Sequence, residues 1–205
     1  MFSDLSFSEL KLLKSLSTPL LVQNFIDTIQ INFEKDGETL QSPRRVLRSK
    51  KAHCIEAALL AAASFWFNGK LPLILDLKAD GIDEDHVLAL YKINGCWGAI
   101  SKSNHATLRF RDPIYRTPRE LAISYFHEYF DGNRLKKSLR SYSKPFDLRK
   151  IGSEWITAEE DLWDIAMKLD DSPHFSLFPK ENEKFIRPPD SMERKTDALR
   201  EWSVR

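Results

Sequence analysis

Cysteine is nearly absent from this chain. The 205 residues hold only Cys54 and Cys96, too few for a disulfide framework, so an apolar core must supply the stability and a reducing compartment is expected. Long apolar runs are also missing. The longest, ALLAAASFWF, is too short to span a bilayer, and the opening MFSDLSFSELKLLKSL has acidic and polar residues where a secretory signal has a basic stretch and an unbroken apolar run. The expectation is a cytoplasmic protein without membrane association. No Cys-x-x-Cys or His-x-x-x-His pair occurs, so Cys54, His86, Cys96 and His105 make no ordinary zinc motif. The segment DLKADGIDEDHV sets Asp76, Asp80 and Gly81 at calcium-loop offsets, but Lys78 takes the third position and Val87 stands where the bidentate Glu belongs. Neither a metal nor another cofactor is therefore expected. There is no internal repeat and no low-complexity tract.

What is present is enough apolar material for a full core, 42% hydrophobic and 11% aromatic. A single domain over residues 1–171 is expected, followed by a proline-containing tail over 172–205. Leu10, Leu13 and Leu16 space an amphipathic helix in SFSELKLLKSL, and Leu21, Phe25, Ile26 and Ile29 another in LLVQNFIDTIQ. PRRVLRSK reads as a helical turn leading into an almost wholly apolar helix that begins near Cys54 and ends at Asn68-Gly69. The period then changes. LPLILDLKA reads as a buried strand, HVLALYKI as a second, and Asn94-Gly95 as the hairpin turn into CWGAIS. Thr117-Pro118-Arg119-Glu120 opens a helix through ELAISYFHEYF, and Thr157 to Glu160 repeats the capping-box pattern before DLWDIAMKL.

The net charge of +1 conceals an uneven distribution: residues 101–150 hold 12 Lys+Arg against 5 Asp+Glu, and residues 151–205 hold 8 against 13. Arg109, Arg111, Arg116 and Arg119 alternate with Phe110, Tyr115 and Tyr125, a chemistry suited to nucleic acid or to a carboxylate groove. The preferred reading is that these arginines pair with the acidic C-terminal third.

Cys54 is the candidate nucleophile. A helix N-terminus lowers a thiol's pKa through its unpaired N–H groups and its dipole. His86, opening the second strand, is the candidate base, because imidazole accepts a proton near neutral pH. The backbone N–H of Cys54, with Gln23 or Gln41, would meet the oxyanion. Ser101 shares a strand face with Trp97 by period-two counting. His53 is expected to point away from the thiol, as adjacent residues on a helix do.

A cysteine at a helix start, a Gly-Lys-Leu-Pro turn into a strand, a histidine opening the next strand and a tight turn ending in Gly-x-Trp, taken in order, resemble the transglutaminase-like core of the papain-like cysteine enzymes. VQNFIDTIQINFEKD and SPRRVLRSKKAHC extend the likeness upstream, so it covers residues 20 to about 105, with 106–171 as a helical and basic extension. The resemblance implies an α+β fold with the nucleophile helix packed on an antiparallel sheet and further helices at both ends. It implies Cys54 as nucleophile and His86 as base, with the sulfur about 4 Å from a ring nitrogen. The chain departs from the family pattern in three places. Ala52 replaces a glycine, Leu88 and Leu90 replace Trp and Glu after the histidine, and Ser101 replaces the aspartate that orients the imidazole. Ser101, Asn104 or the more distant Asp112 could take that role. The implied activity is that of an amidase, peptidase or acyl-transferase working through a Cys54 thioester on a peptide or small amide. The alternative is a non-catalytic module of the same fold that binds a peptide or protein partner.

Overall fold

The structure, a computed structural model, describes residues 2, 4–35, 37–131 and 135–202. It is a mixed α+β fold built on a mostly antiparallel sheet with several helices. The helices are α1 (Phe7–Ser15), α2 (Pro19–Asp27), α3 (Pro43–Ser49), α4 (Cys54–Phe67), α5 (Pro118–Ile123), α6 (Trp163–Asp170) and α7 (Ser191–Asp197). A short parallel pair, β1 (Gln30–Ile31) and β2 (Lys51–Ala52), lies just before α4. The main sheet contains β3 (Leu73–Lys78), β4 (His86–Ile93), β5 (Cys96–Ile100) and β6 (Arg111–Tyr115). A small separate pair, β7 (Phe130–Asp131) and β8 (Lys136–Lys137), follows. β9 (Ser141–Ser143), β10 (Phe146–Asp147) and β11 (His174–Ser176) complete the main sheet, whose order is β11-β9-β3-β4-β5-β6 with β10 also on β3.

α4 is the centre of the molecule. Eleven of its residues, from Ile55 to Phe65, are buried, as expected of a helix that is apolar on every side. Its alanines at 57, 58, 61, 62 and 63 keep the surface low, so β3 and β4 pack on one side and α1, α2 and α3 on others. Fully buried leucines such as Leu59 and Leu60 each contribute ~1.5–3 kcal/mol of burial energy. The sheet is covered on both faces. Ile74, Val87, Ala89 and Tyr91 join the α4 core, whereas Leu75, Leu77, Leu88 and Leu90 join a second core with Leu121, Ala122 and Tyr125. Two-sided burial explains why β3 and β4 read as continuous apolar runs. It also explains Leu88 and Leu90, whose face lies under the 106–171 extension.

Most expected elements form where the pattern places them, including the hairpin at Asn94 and Gly95, both at positive φ. In α2 the buried side is Val22, Gln23 and Ile26, and Leu21 is exposed. Two helices are shorter than expected. α5 stops at Ile123, and the chain continues as a 3-10 turn, Phe126–Glu128, before β7. Thr157 caps nothing in α6; it closes a 3-10 turn, and α6 starts at Trp163. The reason is tertiary: Asp161 accepts the Leu40 N–H at 3.0 Å and pairs with Arg45 at 2.7 Å, and the Leu162 N–H donates to Leu40 O, which holds 161–162 out of the helix. β11, which lies in the stretch read as a tail, pairs with β9 of the main sheet. Residues 203–205 of that tail lie outside the described residues.

Gly98 in β5 is required by close packing. A β-carbon there would sit 2.7 Å from Arg111 O and closer still to the Tyr91 ring, whose hydroxyl donates to the same carbonyl at 2.9 Å. Gly98→Ala should destabilise the protein by about 1–3 kcal/mol in denaturant unfolding, since the backbone neighbour cannot rotate away. A change within about 0.5 kcal/mol would contradict this packing.

A candidate thiol–imidazole active site

Glu56, a carboxylate inside the apolar α4, organises the approach to Cys54. It has no exposed surface, and it accepts hydrogen bonds from His53 N (2.9 Å), Gln41 N (2.8 Å), Thr39 Oγ1 (3.0 Å) and Asn32 Nδ2 (3.2 Å). Those donors anchor the loop 32–41 against the start of α4. The β1–β2 pair ties the same loop to residues 51–52, with Asn32 N donating to Ala52 O at 3.1 Å.

His53 is the N-cap of α4, with φ −94° and ψ −172°. This extended backbone overturns the expectation that its ring points away, because helical side-chain directions apply only from the next residue onward. His53 Nε2 donates to Thr39 O at 2.9 Å and lies 3.5 Å from Glu56 Oε1 and 3.7 Å from Glu34 Oε1. Burial works against a charged imidazole here, but the hydrogen bond to Cys54 and the charges of Cys54 and Glu56 outweigh it and raise the pKa to about 9.

Cys54 is partly accessible. Burial opposes its ionisation, yet hydrogen bonding to His53 and then to His86, together with the charges of both rings, lowers its pKa to about 5. The first-turn N–H groups of α4 add to this. The resting pair is thus thiolate and imidazolium.

His86, 6% exposed, opens β4, and its Nε2 is 2.8 Å from Ser101 Oγ. Register accounts for the meeting. Ala89 pairs with Ile100, so Ser101 stands opposite Leu88, diagonal to His86 on the same face. Ser101 Oγ donates its single proton to Leu108 O, so it must accept from His86 Nε2–H. In the neutral ring this leaves Nδ1 bare. Leu108 has φ +58°, a costly conformation for leucine, and its N–H donates to Glu128 Oε2 at 3.2 Å. A hydroxyl–carbonyl relay therefore orients the His86 ring.

Other sequence candidates fall elsewhere. Asn104 turns to the C-terminus, its Oδ1 accepting from Trp202 N at 2.8 Å. Asp112 is an exposed residue of β6. Gln23 is committed to Ser101, accepting from its N–H at 3.0 Å and donating to its carbonyl and to Asp27 Oδ1, each at 2.8 Å. It positions Ser101 and has no amide proton left for an oxyanion. Gln41 Nε2 makes one longer bond, 3.4 Å to Lys51 O, and keeps a proton free. Glu56 escaped the sequence reading, and His53 was read as turned away. The signal for Glu56 was a lone carboxylate in an apolar helix three residues after an N-cap, and that cap position was the signal that His53 does not follow helical side-chain directions.

Among the described residues, the group able to hold a metal is Asp76, Asp85 and Asp170; Cys54, His86, Cys96 and His105 do not converge. Of the C-terminal pairings expected for the basic segment, Arg109 binds Glu201 at 3.1 Å and Arg119 donates to Leu177 O at 2.7 Å, but Arg111 pairs with Glu128. No helix among the described residues is long and apolar enough to cross a membrane. A cleft of about 630 Å³, lined by Asn32, Phe33, Glu34, Thr39, Lys51 and Trp202 among others, borders the loop that holds His53, although it includes neither Cys54 nor His86. Compared with protein-family models and with curated proteins, the chain matches none.

Proposed function

We propose that this protein is a cysteine enzyme of the transglutaminase-like type that transfers or hydrolyses acyl groups through a thioester on Cys54. What carries this reading is a thiol at the start of α4, next to His53, whose pKa is lowered to about 5 by hydrogen bonding to His53 and His86 and by their charges. The thiolate attacks the carbonyl carbon of a peptide or small amide. The oxyanion is met by the free N–H groups of the first turn, with the spare Gln41 amide proton as a second donor. The proton that left the thiol, held by the imidazoles, passes to the leaving amine as the C–N bond breaks. The bare Nδ1 of His86 then takes a proton from the water or amine that attacks the thioester. Ser101 and Leu108 act as positioning residues. The cleft beside loop 32–41 is within the usual size of ligand sites and suits the chain of a peptide substrate.

The neutral Ser101 relay favours a second reading, a non-catalytic module that binds a peptide, since it supplies no charge to stabilise imidazolium. An activated ester separates the two. With p-nitrophenyl acetate the protein should release about one equivalent of nitrophenol in a burst and carry an acetyl group on Cys54 that hydroxylamine removes. Cys54→Ala should show neither. Absence of the acyl adduct in the folded protein would leave the binding module as the reading.

A further inference from the structure

Three carboxylates outside the thiol chemistry meet beside β3, and a histidine pairs with one of them, each side chain from a different element. Asp76 lies in β3, Asp85 precedes β4, Asp170 ends α6 and His174 opens β11. Oxygens of the three carboxylates lie within 4.8 Å of one another. Asp76 is 4% exposed; its Oδ2 lies 3.1 Å from His174 Nε2, and its Oδ1 has no hydrogen-bond partner. Buried carboxylate oxygens without partners are costly, so one in a cluster of acids points to a missing cation.

We propose that Asp76, His174, Asp85 and Asp170 form a site for one divalent first-row transition ion of the manganese or zinc class. His174 Nδ1 is 2.7 Å from Ser172 O, and a carbonyl only accepts, so Nδ1 carries the proton and Nε2 of the neutral ring presents a lone pair to Asp76. Two acceptors then face each other, and a proton or a metal ion must lie between them. Support of the distal ring nitrogen by a backbone carbonyl is the usual arrangement behind a metal-bound histidine. The 3.1 Å separation fits adjacent ligands on one ion, which lie roughly 3 Å apart when each bond is about 2.1 Å. Opposite ligands lie about 4.2 Å apart, so the 4.8 Å spread needs only a small contraction. Asp85 is already held, its Oδ1 accepting from Ala79 N at 2.7 Å. Lys78 pairs with Asp170 Oδ1, leaving the other oxygen of Asp170 for the ion. Three carboxylates less one ammonium match a divalent charge. One imidazole among oxygens favours manganese or zinc over calcium, which takes oxygen alone.

Manganese alone is the probe, because zinc would also take the free thiols of Cys54 and Cys96 as soft ligands. The full chain, stripped with a chelator and titrated with Mn²⁺, should remove about one ion per chain from the free-ion electron paramagnetic resonance signal and unfold at a higher temperature. Asp76→Asn and His174→Gln should each weaken binding about 10–100-fold. Asp170→Asn, an exposed change that spares the core, should weaken it severalfold, and Lys78→Met should tighten it by removing the competing ammonium. Circular dichroism checks that the Asp76 variant folds; if it does not, Asp170→Asn decides. Absence of saturable binding up to about millimolar Mn²⁺, or binding unchanged in these variants, would overturn the site and leave a shared proton between Asp76 and His174.

Discussion

Iodoacetamide at about pH 6 should alkylate Cys54 about tenfold faster than an ordinary thiol. A thiol of pKa about 5 is then some nine-tenths thiolate, against about 0.3% for a free thiol near 8.5, a roughly 300-fold advantage in the reactive form. Lower basicity takes back about 30-fold, from a Brønsted slope of ~0.4–0.5 over ~3.5 pH units. The pH profile is the sharper readout, with a midpoint near 5 and a plateau above it. Cys96, in β5, is the internal comparison and should label more slowly until the protein unfolds. His53→Gln and His86→Gln should each move the midpoint upward, because both rings hydrogen-bond the thiol and add their charge beside it. Acyl turnover should depend more on His86. An unchanged profile in His53→Gln would mean that His53 is not the thiolate's partner.

The same pair sets a pH dependence of stability, with the sign fixed by proton counting. Between about 6.5 and about 9 the folded pair holds one proton on His53, and the unfolded chain holds one on the thiol, so the pair contributes no slope. Below about 6.5 the unfolded chain binds a second proton while the folded pair still holds one, so stability falls as the pH drops toward about 5. Cys54→Ala should remove that part of the acid dependence.

Glu56→Ala should cost about 3–5 kcal/mol in denaturant unfolding, the largest stability effect expected of a polar residue here. The change strands the N–H groups of His53 and Gln41, the Thr39 hydroxyl and the Asn32 amide around a cavity. Glu56→Gln should cost about half as much, because it keeps one acceptor oxygen but sets an amide N–H against some of the same donors. Both variants should slow Cys54 alkylation, since Thr39 O, which orients His53, rides on the loop that Glu56 anchors. A loss below about 1 kcal/mol would show that these donors find water or new partners.

Local chemistry made much of this protein legible. The all-apolar run after Cys54 specified a buried helix, because no orientation of it could face water, and Asn94-Gly95 specified a hairpin, because both residues accept positive φ. Period-two counting placed Ser101 on the Trp97 face, and register brings its hydroxyl to His86. Tertiary structure decided what depends on partners distant in sequence. The helix expected after Thr157 starts only at Trp163, because Leu40 and Arg45 hold Asp161. Gln23 spent its amide on the Ser101 backbone, 78 residues away. His53 turned toward the thiol because Glu56 and Thr39 hold the N-cap extended and its ring in place. Helices and turns follow from each residue and its near neighbours, whereas the protonation and orientation of a buried side chain follow from whichever donors and charges the fold packs around it.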